Sequence, residues 1–158
     1  MVTIAVVGVG YVGLSLALCF TEANHKVFAI DIDEQKISQL RQGRSYISYV
    51  PHERIQTAIS SMLLVPTLDV SVVSHVSALM ICVPTPLNAS HEPDMQYVIG
   101  SAKAIAPHLK AQCLVVLEST TYPGTTDTDL RKILEEGSMM KAGKDFHLAF
   151  SPEREDPG

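Results

Sequence analysis

Gly8-Val9-Gly10-Tyr11-Val12-Gly13 spells G-x-G-x-x-G, directly after the apolar run Val2-Thr3-Ile4-Ala5-Val6-Val7. A glycine turn between a strand and a helix gathers backbone N–H groups and the positive end of a helix dipole, which suits a pyrophosphate. Gly8 serves the tight turn, Gly10 lets the backbone approach the phosphates, and Gly13 lets helix and strand pack closely. Asp31 closes the next predicted strand, Lys26 to Ile30. A carboxylate there grips adenosine ribose hydroxyls and repels a 2′-phosphate, which favours NAD over NADP. Lys36 lies one helical turn further on. It is either a cation near the ribose, able to serve NADP, or a solvated helix lysine.

Three other segments follow apolar runs and carry reactive side chains: Val83-Pro84-Thr85-Pro86, Glu118-Ser119-Thr120-Thr121-Tyr122-Pro123-Gly124, and Ser151-Pro152-Glu153-Arg154-Glu155-Asp156-Pro157-Gly158. In an open α/β sheet, ligands sit at the carboxyl ends of the strands. The first segment offers a threonine hydroxyl between two prolines. The second offers several hydroxyls and an acid, and the third groups three acids with one arginine. Ordinary turn chemistry also accounts for the first two, because Pro, Gly, Ser and Thr favour turns. Glu153 is equally readable as a surface acid. The six histidines show no metal-ligand spacing, and no metal site is expected.

These segments need elements to hold them. The pattern predicts strands at Val2–Val7, Lys26–Ile30, Met62–Val65, Ala78–Val83, Leu114–Leu117 and Phe146–Phe150. Predicted helices run over Leu14–Glu22, Glu34–Arg41, Glu53–Ile59, Leu68–Val76 and Met95–Leu109. A further helix starts at Thr125 or Thr126 as N-cap, with Asp127 and Asp129 in its first turn, and stops at Gly137. The helix after the glycines is almost wholly apolar and reads as buried. The first strand is a continuous apolar run rather than an alternating one, as in a parallel sheet buried on both faces. Strand and helix alternate, which predicts an α/β doubly wound parallel sheet, a Rossmann-type dinucleotide-binding domain. Residues 1–158 read as a single NAD-binding domain.

Composition narrows the function. The 158 residues are 46% hydrophobic and 18% charged, which excludes disordered, collagen-like and coiled-coil classes. The net charge of −5 and the lack of a basic block argue against a nucleic-acid or anionic-membrane partner. Residues 1–21 are uncharged, but no Lys or Arg precedes them and three glycines interrupt them, so neither a signal peptide nor a membrane span is expected. Cys19, Cys82 and Cys113 are odd in number and scattered in apolar runs. They read as small buried residues in a reducing, cytoplasmic setting.

The motifs GVGYVG with its following Asp31, ICVPTP, LESTTYPGTT and FSPER occur in that order from the first predicted strand to the last residues. In this order the sequence resembles the N-terminal domain of the UDP-glucose/GDP-mannose dehydrogenase family. The wordings ESTTYPGTT and SPEREDPG are most similar to the branch acting on UDP-N-acetylglucosamine or related UDP-N-acetylhexosamines.

The resemblance implies an oxidoreductase that oxidises the sugar C6 alcohol twice, to a carboxylate, with two NAD⁺. The second oxidation passes through a cysteine-bound thiohemiacetal and a thioester. It implies that Gly8, Gly10, Tyr11, Val12, Gly13, Asp31 and Lys36 contact NAD. It places Thr85 and Thr120 on the nicotinamide side, counts Val83, Pro86 and Ser119 among the cofactor-binding residues, and gives Glu153 an acid/base role near C6. The family's second glutamate falls four residues after Glu153, where this sequence has Pro157, with Glu155 and Asp156 beside it. The family's nucleophilic cysteine, its lysine and asparagine, its long central helix and its UDP-sugar domain lie further along the chain. None of the three cysteines here matches the nucleophile, and the resemblance puts Cys82 inside a strand. The expectation is a cofactor domain inactive by itself and monomeric, from a parent that is dimeric and takes a UDP-sugar. A stand-alone NAD-binding module without catalysis, or a parent acting on UDP-glucose or GDP-mannose, are the alternatives.

Overall fold

Each strand of the sheet carries apolar side chains on both faces, and two helical layers cover them. The computed structural model describes residues 1–86, 93–119, 121 and 124–152. β1 (Thr3–Val7), β2 (Lys26–Ile30), β3 (Leu64–Thr67), β4 (Ala78–Ile81), β5 (Leu114–Leu117) and β6 (His147–Phe150) form one sheet in the order β3-β2-β1-β4-β5-β6. All five pairings are parallel. The chain runs outward from β1 to β3, then returns to β1's other side at β4. The order in which strands are added therefore reverses between β1 and β4, where doubly wound sheets open a crevice.

Alternation along β1 divides the core in two. Ile4 and Val6 face the layer of α1 (Tyr11–Glu22), α2 (Glu34–Arg41) and α3 (His52–Ser60). Ala5 and Val7 face the layer of α4 (Gln96–Ile105) and α5 (Arg131–Ser138). β4 repeats the division, with Met80 on the first side and Leu79 and Ile81 on the second. Burial on both faces is what the unbroken apolar runs require.

Several boundaries depart from the sequence reading. α1 begins at Tyr11 rather than Leu14. It is also not buried all round: Gly13, Leu14, Ala17, Leu18 and Thr21 form the buried stripe, and Cys19 lies exposed on the other side. β3 runs over Leu64–Thr67 rather than Met62–Val65, because Met62 takes a left-handed turn (φ 57°) as the chain leaves α3. Pro66 is tolerated there because β3 is an edge strand. The expected helix at Leu68–Val76 is a 3₁₀ segment at Val70–His75. The long helix to Leu109 changes to 3₁₀ geometry at Ala106–His108, where Pro107 interrupts the α-helical ladder.

The last helix differs most. A single π-type turn covers Thr126–Leu130, and α5 follows at Arg131. Thr125 already has helical dihedrals and makes no side-chain cap, while the Gly124 carbonyl accepts from Asp127 and Thr128 N–H at 3.0 Å each. Gly137 does not end α5. A Cβ there would lie 2.5 Å from the Ala106 Cβ, so this glycine allows close packing inside the helix. Met139, at φ 59°, terminates it instead.

Candidate functional site

Parallel register sets the rim. Thr67, Ile30, Val7, Ile81, Leu117 and Phe150 form one row across the sheet. One residue further come Leu68, Asp31, Gly8, Cys82, Glu118 and Ser151. Every motif singled out in the sequence thus leaves the sheet at the same edge. A cleft of about 950 Å³ opens over this edge, between the N-terminus of α1 and the face of α4.

The glycine loop forms its floor. Gly8 takes φ +88°, and a Cβ there would lie 2.8 Å from the Cys82 carbonyl oxygen, so the loop can pass under β4 only with glycine. Gly10 caps α1 in extended conformation and lines the cleft, with no atom within 4 Å of where its Cβ would stand. Gly13 faces the other way and packs α1 onto the loop. The first-turn amides of α1 have no intrahelical acceptors, and that turn carries no acidic side chain. Space, N–H groups and dipole together fit an anion the size of a pyrophosphate.

Asp31 follows β2 directly and is nearly buried. Its Oδ2 accepts from Val9 N–H at 2.9 Å, and its Oδ1 from Asp33 N–H at 3.0 Å. Lys36 Nζ stands 3.5 Å from Oδ2. Two carboxylate oxygens have about four acceptor sites, and three donors are already on them, so capacity remains for a ribose hydroxyl. Asp33 is committed elsewhere: it caps α2 by accepting from Gln35 and Lys36 N–H. Ile32 and Leu68 add apolar surface to this end of the cleft.

Beyond β4 and β5, Val83, Thr85 and Ser119 also line the cleft. Ser119 Oγ donates to the Val83 carbonyl at 2.6 Å, tying the two loops together. Tyr11 and Val12 line the cleft at the start of α1. Pro86 does not belong to the lining; its carbonyl accepts from Asp94 N–H at 2.7 Å. Cys82 lies just after β4 rather than within it. Thr120, Glu153, Glu155, Asp156 and Pro157 lie outside the described residues.

Two contributors escaped the sequence reading. Tyr46, from the segment between α2 and α3, reaches the cleft and donates its hydroxyl to the Val9 carbonyl. Burial, and secondarily the Asp31 and Asp33 carboxylates, push its phenol well above the usual tyrosine range. Tyr97, Gly100, Ser101 and Ala104 present one face of α4 to the cleft. Their three- and four-residue spacing is visible in the sequence, but only the crossover places that face over the rim. Among the described residues, no group of three or more His, Cys, Asp or Glu is placed to hold a metal ion. None of the described helices is long and apolar enough to cross a membrane.

Residues 2–158 match the model of the UDP-glucose/GDP-mannose dehydrogenase family, NAD binding domain. A UDP-N-acetyl-D-glucosamine 6-dehydrogenase of Pseudomonas aeruginosa is 34% identical over 155 residues, covering 98% of this chain and 36% of that protein. Among solved structures, the NDP-N-acetyl-D-galactosaminuronic acid dehydrogenase of Methanosarcina mazei superposes with a TM-score of 0.91 at 34% identity, over 99% of this chain and 35% of the other. The GDP-mannose dehydrogenase of Pseudomonas aeruginosa, solved as a ternary complex, gives a TM-score of 0.91 at 29% identity, over 96% and 36%. The chain spans about a third of the length of the curated relatives it matches, 35% and 36% for two of them.

Proposed function

The chain belongs to the UDP-glucose/GDP-mannose dehydrogenase family as its NAD-binding domain, and from that premise we propose that it serves an NAD-dependent oxidation of the C6 alcohol of a UDP-sugar. One observation carries the reading: Gly10, the α1 N-terminus and Asp31 converge on a single cleft. NAD supplies the hydride acceptor when bound. The chain's own residues bind and orient. The amides of Tyr11, Val12 and Gly13 and the α1 dipole hold the pyrophosphate. Asp31 accepts from the adenosine ribose hydroxyls, and its negative charge disfavours a 2′-phosphate. Lys36 balances that charge beside the ribose. Val83, Thr85 and Ser119 serve the nicotinamide side, and the family resemblance assigns Thr120 to the same task and Glu153 the role of acid or base near C6.

We further propose a UDP-N-acetylhexosamine as the substrate class. The ESTTYPGTT and SPEREDPG wordings support it, as do relatives whose names specify UDP-N-acetyl-D-glucosamine and NDP-N-acetyl-D-galactosaminuronic acid. Residues 1–158 act in this reading as one cytoplasmic cofactor domain, monomeric and catalytically silent by itself.

Calorimetric titration of the 158-residue chain with NADH, and with NADPH alongside, tests the reading. NADH binding with little NADPH binding is the expected result. Absence of binding by a folded chain would sink the cofactor assignment. In an active longer protein, Glu153→Gln is expected to spare cofactor affinity and cost most of the turnover; full activity would remove Glu153 from the chemistry.

A further inference from the structure

Two tyrosines of the segment between α2 and α3 join the glycine loop. The Tyr46 hydroxyl donates to the Val9 carbonyl. Three residues on, the Tyr49 ring stacks on Tyr11, with centroids 5.9 Å apart. Tyr46 therefore holds the residue before Gly10, and Tyr49 holds the residue after it. The segment is itself well anchored. Ser45 N–H donates to His52 Nδ1 at 2.8 Å, Ser45 Oγ donates to the Ile47 carbonyl at 2.9 Å, and Ile47 and Val50 are buried against the α1 side of the sheet.

Val9 is consequently restrained on both of its peptide units. Its N–H is taken by Asp31 and its carbonyl by Tyr46. The second unit matters for an anion. In a trans peptide the carbonyl and the following N–H point in opposite directions, so fixing the Val9 carbonyl fixes the Gly10 N–H. Glycine costs little to rotate, and a flip of this unit would put a carbonyl oxygen where the Gly10 N–H now stands. Gly10 is the N-cap of α1, so that oxygen would lie beside the first-turn amides and repel a phosphate held by them. Tyr46 keeps its proton, because burial and the nearby Asp31 and Asp33 carboxylates disfavour the phenolate, so it remains a donor to Val9.

We infer that Tyr46 is a positioning residue for the dinucleotide's pyrophosphate, holding the Val9–Gly10 peptide against a flip that would close the anion site. The inference rests on the cofactor reading proposed above and names a group outside the glycine motif on which that site depends.

Tyr46→Phe tests it, because the ring and its packing are kept and only the donor is lost. Binding of NADH and of ADP-ribose is expected to weaken about 5- to 10-fold, the loss of one hydrogen bond, while adenosine, which has no phosphate, stays within about twofold of wild type. The melting temperature is expected to move by no more than about 4 °C, so that folding does not confound the comparison. Unchanged NADH affinity would overturn the inference. An equal loss for NADH and adenosine would overturn it too, because a general packing defect affects both. A wild-type chain that fails to bind NADH would remove the cofactor reading and this inference together. A wild type that binds and a Tyr46→Phe variant that binds equally well would remove this inference alone.

Discussion

The Val9 amide donates to Asp31 Oδ2 at 2.9 Å, joining the glycine loop after β1 to the acid after β2. One carboxylate thus belongs to two tasks. It shapes the glycine loop, and in the proposed reading it also receives the adenosine ribose.

Asp31→Ala is expected to lower NADH affinity by about tenfold or more, since hydrogen bonds to a charged acceptor are worth about 1.5–3 kcal/mol. Discrimination against NADPH is expected to relax as the negative charge is lost. The same change leaves Val9 and Asp33 N–H without their acceptor, at a cost of about 1–3 kcal/mol for a buried donor. Parallel titrations and thermal melts separate the two effects. Unchanged affinity for both nucleotides would take Asp31 out of the site.

Gly8 and Gly10 are expected to fail in opposite ways. Gly10→Val has room for its Cβ and an ordinary backbone, so the protein is expected to fold with nearly wild-type melting and lose NADH binding. Gly8→Ala meets the Cys82 carbonyl oxygen at 2.8 Å from a left-handed φ, so it is expected to lose about 2 kcal/mol or more of stability. Circular dichroism melts with NADH titration test the pair. Normal binding by Gly10→Val would mean that the loop does not cradle the phosphates.

Acid stability is expected to depend on Glu135. It accepts from Lys141 Nζ at 2.9 Å, Arg131 Nε at 3.1 Å and Ala142 N–H at 3.1 Å. Hydrogen bonds from Lys141 and then Arg131 hold its carboxyl down to about 2, below its ordinary 4.5. The unfolded chain therefore takes up this proton first as pH falls. The stabilisation is present above about pH 4.5 and is lost as pH falls toward 2. Glu135→Gln is expected to flatten the melting-temperature profile over that window and to change it least relative to wild type at the acid end. An identical acid slope in the variant would show that Glu135 contributes nothing to it.

Thiol chemistry is expected to single out Cys19. It is exposed on the outer side of α1, whereas Cys113 is 1% exposed and burial pushes its thiol up to about 11. A disulfide reagent at neutral pH is expected to show one fast thiol, removed by Cys19→Ser. A fast phase surviving that substitution would contradict the exposure pattern.

The α/β class was legible in the residues themselves. Ile4–Val7, Ala78–Val83 and Leu114–Leu117 are unbroken apolar runs, as a sheet covered on both faces requires. The glycine motif and Asp31 were legible for the same local reason, since each backbone or charge requirement leaves its residue type in place. What misled was local pattern without its packing partner. Gly137 resembles a helix stop, yet Ala106 presses on it from another element. Cys19 sits in an apolar run, yet the helix turns it outward.

By itself, then, the sequence determined the α/β class, the glycine turn after the first strand and the acid that follows β2, because these are set by neighbours along the chain. The tertiary structure alone decided that Tyr46 reaches Val9, that one face of α4 borders the cleft, and that Asp31 ties β2 to the glycine loop. Those contacts join residues far apart in sequence, 37 positions for Tyr46 and Val9. Only the parallel register and the crossovers bring them to one edge, and neither leaves a periodic trace in the residues involved.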